Sequence, residues 1–338
     1  LQATGPERVT PIDIVDGARC PRFTSLVISN VAVGASPDWM VRRLAAAGMR
    51  SINNIVDVSN YVMLETNQPN HAYDLDTLGG GGFRIRLARD GESMITLDDV
   101  ERELSADDLL ICDATDRPIG IAGIMGGQNT EISEATTTIA VEAAWFEPTA
   151  IMQSVVRLGL RSEASARFER GVDPYGIESS VARFVELLRL TCPDLVVHRG
   201  WADARTEHMP RPVSITVRPE RVSALLGRSF SAADIVALVE PLGFSCRIEA
   251  GVVQVAVPTW RPDCTLEVDI IEEVAGVYPR IMQDGAMEAG AWSCGSTCRA
   301  PRTASTCIPT GAATSTWATT ATTCGAMGLP SVPARWRW

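Results

Sequence analysis

The sequence predicts an α+β fold, a larger first domain followed by a small second one, and three observations carry that reading. Short strand patterns and capped helices alternate without the regular period of a doubly wound sheet. A polar stretch with two prolines, RGWADARTEHMPRP (199–212), divides the patterned region in two. Near residue 285 the periodicity stops and the composition changes.

Ser36-Pro37-Asp38 predicts a helix start, with Ser36 as N-cap, Pro37 in the first helical position and Asp38 at the positive end of the dipole. Trp39, Met40 and Leu44 supply its apolar stripe and Gly48 ends it. A second helix is expected over 53–65, where Ile55, Val58 and Val62 share a face. Phe83, Ile85 and Leu87 alternate with arginines, the pattern of a half-buried strand. Asp90-Gly91 turns into a strand at Met94–Leu97, and further strands are expected at Leu109–Cys112, Ile119–Ile124 and through TIAVEAAW. Helices return at Pro148–Leu158, closed by Gly159, and at Tyr175–Leu190, closed by Cys192-Pro193.

In the second domain Val213–Val217 reads as a strand and Pro219–Leu226 as a helix closed by Gly227. Ser231 with Asp234 forms a capping box for a helix that stops before Gly243. Phe244–Ile248 and Val252–Val257 make a hairpin around Ala250-Gly251, and Leu266–Tyr278 is a last helix.

The chain of 338 residues, 46% hydrophobic and 21% charged, has the composition of a soluble globular protein of about two domains. No stretch approaches a spanning helix, and LQATGPERVT lacks the succession of a signal peptide, so secreted and integral-membrane classes are disfavoured. All 30 basic residues are arginine, and the net charge of −11 argues against nucleic-acid binding by net charge alone. Five of the nine cysteines (Cys20, Cys112, Cys192, Cys246, Cys264) are scattered singly, as in a reducing, cytoplasmic compartment.

The remaining four (Cys294, Cys298, Cys307, Cys324) lie in a tail rich in Ala and Thr, whose aliphatic residues are Ile308, Leu329 and Val332. That supply cannot offset the entropy of ordering the segment. The cysteines do not form the two close ligand pairs of a structural zinc site, and the tail contains no histidine. Residues 282–338 are therefore expected to be disordered and metal-free, in the manner of a translated frameshift.

Four constellations offer chemistry. Asn60 and His71 lie around a proline-containing helix exit, where His71 either packs or points into a cleft. GIAGIMGG (120–127) allows close backbone approach but lacks phosphate-loop spacing. Glu142 sits mid-strand among Ile139, Val141, Ala143 and Ala144; it is either paired in the interior or turned to solvent by strand alternation. Asp263, Asp269, Glu272 and Glu273 cluster hard oxygen donors at the last helix, as an exposed acidic face or as ligands for Mg²⁺.

Together, NNIVDVSNYVMLETNQPNHAYD, GIAGIMGG, VEAAWFEP, GLRSEASARFERGVDP and WRPDCTLEVDIIEEVAGVY, in this order, resemble the bacterial phenylalanine–tRNA ligase (phenylalanyl-tRNA synthetase) beta-subunit family across residues 20–280. The resemblance implies a linker remnant over 1–22, a B3/B4 tRNA-editing domain over 23–200, a linker over 201–210 and a small α+β B5 domain over 211–281. It implies an (αβ)₂ heterotetramer with an alpha subunit that aminoacylates tRNA(Phe) using ATP and Mg²⁺, while the beta subunit hydrolyses tRNA mischarged with tyrosine. Editing is needed because a hydrophobic pocket rejects an added hydroxyl by only about 10².

Carried over by position, the editing pocket comprises Arg50, Ser59, Asn60, His71, Gly126, Glu142, Ser162 and Ala164, with serine at 59 and 162 where the family more often has threonine. Glu142 is expected to accept the tyrosine hydroxyl. Gly126 and Ala164 leave room for the ring, and His71 and Arg50 position the terminal adenosine or the water. The metal ligands implied are Asp263, Asp269, Glu272 and Glu273. Missing from the pattern are an N-terminal tRNA-binding module and, after Tyr278, a Gly-Tyr-Asp run with two further domains. The fragment alone is therefore not expected to aminoacylate tRNA. A freestanding deacylase and a non-catalytic interaction module are the alternatives.

Overall fold

The computed structural model describes residues 2–284. The chain enters through β1 (Ile12–Ile14) and β2 (Arg22–Ser29), crosses two helices, α1 (Asp38–Ala46) and α2 (Asn54–Thr66), and returns in β3 (Asn70–Asp74). Six short strands follow: β4 (Phe83–Leu87), β5 (Ser93–Ile95), β6 (Glu101–Glu103), β7 (Leu109–Asp113), β8 (Pro118–Ile121) and β9 (Met125–Gly126). After β10 (Thr138–Trp145) come α3 (Pro148–Leu158), α4 (Glu163–Phe168) and α5 (Ile177–Leu188), then β11 (Val196–Val197) and β12 (Ala202–Arg205). The second domain runs β13 (Ser214–Val217), α6 (Pro219–Leu226), α7 (Ala232–Val239), β14 (Ser245–Glu249), β15 (Val252–Ala256) and α8 (Glu267–Asp284). The α+β class is as the sequence predicts.

Two sheets organise the first domain, in the orders β1-β4-β7-β8-β9 and β11-β2-β10-β3, with β12 also paired to β2. One face of the second sheet (Phe23, Val27, Tyr73, Ala140, Ala144) shares a core with Phe83, Ile85, Ile111 and Ile121 of the first. Its other face (Leu26, Ile28, Ile139, Val141) packs on Met40, Leu44, Val58, Val62 and Phe184 of the helices. β2 and β10 are thus buried on both faces. The second domain has its own core, where Val253 and Val255 meet Val222, Ile235 and Ile270.

Side-chain caps fix the starts of several helices. Asn53 accepts from the N–H groups of Ile55 and Val56 at the start of α2, and Glu147 does the same for Thr149 and Ala150 before Pro148 of α3. Ser231 and Asp234 form the reciprocal box expected of α7. Ala250 (φ 48°) and Gly251 (φ 82°) both take the left-handed conformation that a two-residue hairpin turn requires.

The structure corrects several expectations. Ser36 does not cap α1; Pro37 occupies the cap position, and the Ser36 hydroxyl donates to Asp57 of α2. The stretch read as a linker contains β12, which pairs with Arg22–Ser25, and the segment before residue 22 contributes β1, parallel to β4. Strands β2 and β3 and helix α4 are additions to the sequence reading. α8 continues past Tyr278 to Asp284, so residues 282–284 are helical. The rest of the tail, and the expectations of disorder and no metal made for it, lie outside the described residues. Among the described residues no helix is long and apolar enough to cross a membrane.

Arg22 ties β2 to its surroundings. Its side chain has no exposed surface and reaches Glu178 of α5, Asp203 of β12 (2.8 Å) and the carbonyl of Pro174 (2.6 Å). A buried guanidinium needs this many partners because each unmet N–H would carry its full desolvation cost.

Candidate functional site

Antiparallel register places Glu142 of β10 directly opposite His71 of β3 on one side and Ser25 of β2 on the other. Alternation along β10 puts Glu142 on the face of Ala140 and Ala144, between the two sheets, and turns Val141 and Ala143 toward the helices. Two alanines at the flanking positions leave space around the carboxyl. That space is a cavity of about 120 Å³ lined by Ser59, Asn60, His71, Gly126, Glu142 and Ala164, with Tyr73, Met125, Phe146 and Phe168 completing its walls. Its scale approaches that of the apolar cavity of roughly 150 Å³ that takes up benzene.

Glu142 is 5% exposed, so the solvent-facing alternative does not apply. Burial pushes its carboxyl up to about 8, partly offset by the Tyr73 hydroxyl, which donates to Oε2 at 3.3 Å. Among the described residues Oε1 has no protein partner. His71 is half-buried at the wall, its ring edge-on to Tyr73 at 4.5 Å, and packing around the imidazole holds it down to about 4. It is therefore neutral at pH 7.

The remaining residues take distinct positions. Ser59 lies on α2 and donates to the Asn70 carbonyl at 2.7 Å, leaving its oxygen as an acceptor. Asn60, the next residue, makes no protein hydrogen bond through its amide among the described residues and lines the cavity. Gly126 of β9 forms the facing wall, where a Cβ would come within 3.1 Å of His71 Cε1, His71 Nε2 and Leu97 Cδ1. Ala164 reaches the cavity from α4. Arg50 and Ser162 are not among the lining residues. Arg50 is exposed beside Met49, which does line it, and Ser162 is the N-cap of α4, accepting from Ser165 N at 3.0 Å.

Two polar lining residues, Tyr73 and Asn70, were missed in the sequence. Tyr73 shares the face of His71 by the period of two in NHAYD, a signal hidden behind Pro69. Asn70 has a buried Oδ1 with no hydrogen-bond partner among the described residues, and nothing in the sequence singles it out.

The acidic cluster behaves differently. Arg261 bridges Asp263 (2.6 Å) and Glu273 (2.5 Å) and holds the Asp263 carboxyl below its usual range. Asp269 spends Oδ2 on the N–H groups of Thr265 and Leu266, both at 2.7 Å, at the start of α8, and Glu272 is exposed. Among the described residues Asp263 and Glu273 group with Cys264, whose thiol burial pushes up to about 11. As arranged, these residues do not fit magnesium. A cation already fills the space between two carboxylates, a third serves the backbone, and the nearest extra donor is a protonated thiol.

Comparisons with known proteins match this division. Residues 19–193 match the B3/4 domain family and residues 215–278 the tRNA synthetase B5 domain. The chain is similar to the phenylalanine–tRNA ligase beta subunit of Carboxydothermus hydrogenoformans, at 42% identity over 78% of this chain and 33% of that one. It is likewise similar to that of Geobacter sulfurreducens, at 44% identity over 79% and 34%. The chain thus spans about a third of the length of the curated relatives it matches. An N-terminal fragment of the Pyrococcus horikoshii phenylalanyl-tRNA synthetase beta subunit aligns over 82% of this chain and 77% of that one. Its TM-score is 0.39 and its identity 13%.

Proposed function

Since the chain belongs to the B3/4 domain family, we propose that it is part of a phenylalanine–tRNA ligase beta subunit whose cavity hydrolyses tyrosine esterified to tRNA(Phe). The observation that carries this reading is the Glu142 carboxyl, 5% exposed between Ala140 and Ala144 in the lining of a cavity of ring size, with one oxygen that has no protein partner among the described residues. A benzyl side chain leaves that oxygen desolvated and unmet, whereas a para-hydroxyl pairs with it. A site built to hydrogen-bond a substrate hydroxyl rejects the analogue lacking it far more strongly than an apolar pocket rejects an addition.

Hydrolysis breaks the ester bond between the amino acid and the terminal ribose, with water supplying the hydroxyl to the carbonyl carbon and the proton to the ribose oxygen. His71 is neutral and too weak a base to take the proton of water outright, so its role is to orient the water or the adenosine through a ring nitrogen. Asn60 offers its free amide to the carbonyl or the ribose. No step runs through a metal.

The wider reading follows the same line. The chain assembles with an alpha subunit as (αβ)₂ and binds tRNA(Phe) in the cytoplasm. Aminoacylation with ATP and Mg²⁺ belongs to the complete enzyme, with the second domain as part of its scaffold.

The test is hydrolysis of Tyr-tRNA and Phe-tRNA by this chain and by Glu142→Gln. The wild-type chain is expected to prefer Tyr-tRNA and the variant to lose that preference. Equal rates for the two substrates in the wild-type chain would refute the reading.

A further inference from the structure

The geometry points to Tyr73 as the positioning residue of this pocket: its phenol engages one carboxyl oxygen of Glu142 and so assigns the other to the hydroxyl of the incoming ring. The inference rests on the reading of Glu142 as the hydroxyl-recognising group. It adds the residue that decides how that group is presented.

Tyr73 is 1% exposed, and its ring packs against Phe83 (5.3 Å between centroids) and His71 (4.5 Å). A phenylalanine would make both ring contacts. The hydroxyl adds a polar atom to an apolar core, which costs free energy unless it is paired. Its partner among the described residues is Glu142 Oε2, at 3.3 Å. That distance exceeds the usual 2.7–2.8 Å for O–H···O, so the bond contributes little to stability. Its consequence is the choice of oxygen.

The assignment holds in both protonation states. As a carboxylate, Glu142 accepts from Tyr73 at Oε2 and from the ligand hydroxyl at Oε1. As a carboxylic acid, Oε2 is the carbonyl oxygen that Tyr73 engages, and the proton on Oε1 is donated to the ligand oxygen. The other titratable groups around the carboxyl leave this pairing alone. His71, on the same strand as Tyr73, makes no hydrogen bond to it, and the Cys20 thiol before β2 donates to the Arg22 carbonyl at 3.7 Å. From the facing sheet the cavity receives Ile111, Gly120, Ile121, Met125 and Gly126, none of them charged.

Tyr73→Phe keeps the ring and removes the hydroxyl. The measurement is calorimetric binding of L-tyrosinamide and L-phenylalaninamide to the full chain between pH 6 and 9; taking the ratio of the two cancels their shared amine. The expected result is a ratio about twofold to threefold lower in Tyr73→Phe, the low end of what one hydrogen bond contributes, as fits a bond of 3.3 Å. A bond that lowers the Glu142 pKa is also lost. The rise of the ratio as the carboxylate forms should therefore move to higher pH, while the melting temperature near pH 7 stays unchanged. A merely structural role would move the melting temperature and leave the pH midpoint in place.

Glu142→Gln separates the two claims. If it loses the preference while Tyr73→Phe keeps both ratio and midpoint, Tyr73 has no positioning role and the reading of Glu142 stands. If Glu142→Gln keeps the preference, or the wild-type chain binds neither amide, the reading of Glu142 fails and the role of Tyr73 falls with it.

Discussion

Glu142 and His71 face each other across the β10–β3 ladder yet share no hydrogen bond, so each titrates according to its own burial. The carboxyl is pushed up to about 8 and the imidazole down to about 4, which leaves both groups neutral near pH 7. A pocket floored by uncharged polar groups admits an aromatic ring at low desolvation cost and still offers hydrogen bonds.

Stability should report this arrangement. Between pH 4.5 and 6.5 the two groups act in opposite directions: the folded chain holds the Glu142 proton, and unfolding lets His71 take one up. From 6.5 to about 8 only Glu142 contributes, because its folded pKa is raised and the folded state keeps a proton that the unfolded chain has released. Tyr73 and Cys20 titrate above that window. Stability therefore falls as pH rises through it, by about 1.4 kcal/mol per pH unit. Denaturant titrations of Glu142→Gln at pH 6.5 and 8 should show a flatter dependence than wild type by about 2 kcal/mol. Parallel curves would mean that Glu142 is ionised in the folded chain at neutral pH.

Gly126→Ala probes the facing wall. A methyl group there lies 3.1 Å from the His71 ring and from Leu97 Cδ1. Leucine can move aside; the imidazole, set edge-on to Tyr73, has less freedom. Hydrolysis of Tyr-tRNA should fall about tenfold to a hundredfold, as for a misplaced site group, with a stability cost of about 1 kcal/mol. Full activity in Gly126→Ala would show that this wall does not set the position of His71.

Elements bounded by caps and turns were legible in the sequence: Ser231 with Asp234, Pro148 to Gly159, Pro219 to Gly227, and the Ala250-Gly251 hairpin. β2 was not, because both of its faces are buried and RFTSLVIS has no alternation to find. The same fact decides the orientation of Glu142. Alternation separates it from Val141, but with β10 covered on both sides neither choice leads to solvent. Of the residues matched to the family by position, Ser59, Asn60, His71, Gly126, Glu142 and Ala164 line one cavity. Matching by position could not tell that Ser162 serves the α4 cap, since that depends on where the helix begins.

Arg22→Met should be among the most damaging substitutions remote from the cavity. It leaves Asp203, 17% exposed at its side chain, and Glu178 without the guanidinium that joins β2, β12 and α5. Burial alone would raise the Asp203 carboxyl, but its bonds to Arg22 and Arg205 hold it down to about 2. With a depressed folded pKa, its contribution is present above pH 4 and lost as pH falls toward 2. Loss of one partner of a buried pair costs about 3–5 kcal/mol. Chemical denaturation at pH 7 should show a loss of that size, shrinking as the solution is acidified. A change below about 1 kcal/mol at pH 7 would place the pair with ordinary surface bridges.

The acidic cluster yields the last prediction. Arg261 neutralises Asp263 and Glu273 through contacts of 2.6 and 2.5 Å, so a magnesium ion at those carboxylates must displace a guanidinium that is already hydrogen-bonded. Magnesium also surrenders its waters reluctantly, and two carboxylates are as many as it commonly takes from a protein. The full chain should therefore bind Mg²⁺ weakly, and Arg261→Gln should bind it about tenfold more tightly by removing the competing cation. Adding Asp263→Asn to that variant should abolish the gain, whereas Asp269→Asn should not, because Asp269 is engaged with the backbone of Thr265 and Leu266. Calorimetric titration of the wild-type chain, Asp269→Asn alone and the three Arg261→Gln variants distinguishes the outcomes. Tight binding to the wild-type chain, lost in Asp269→Asn, would show that the four carboxylates rearrange around the ion and that Arg261 yields its place.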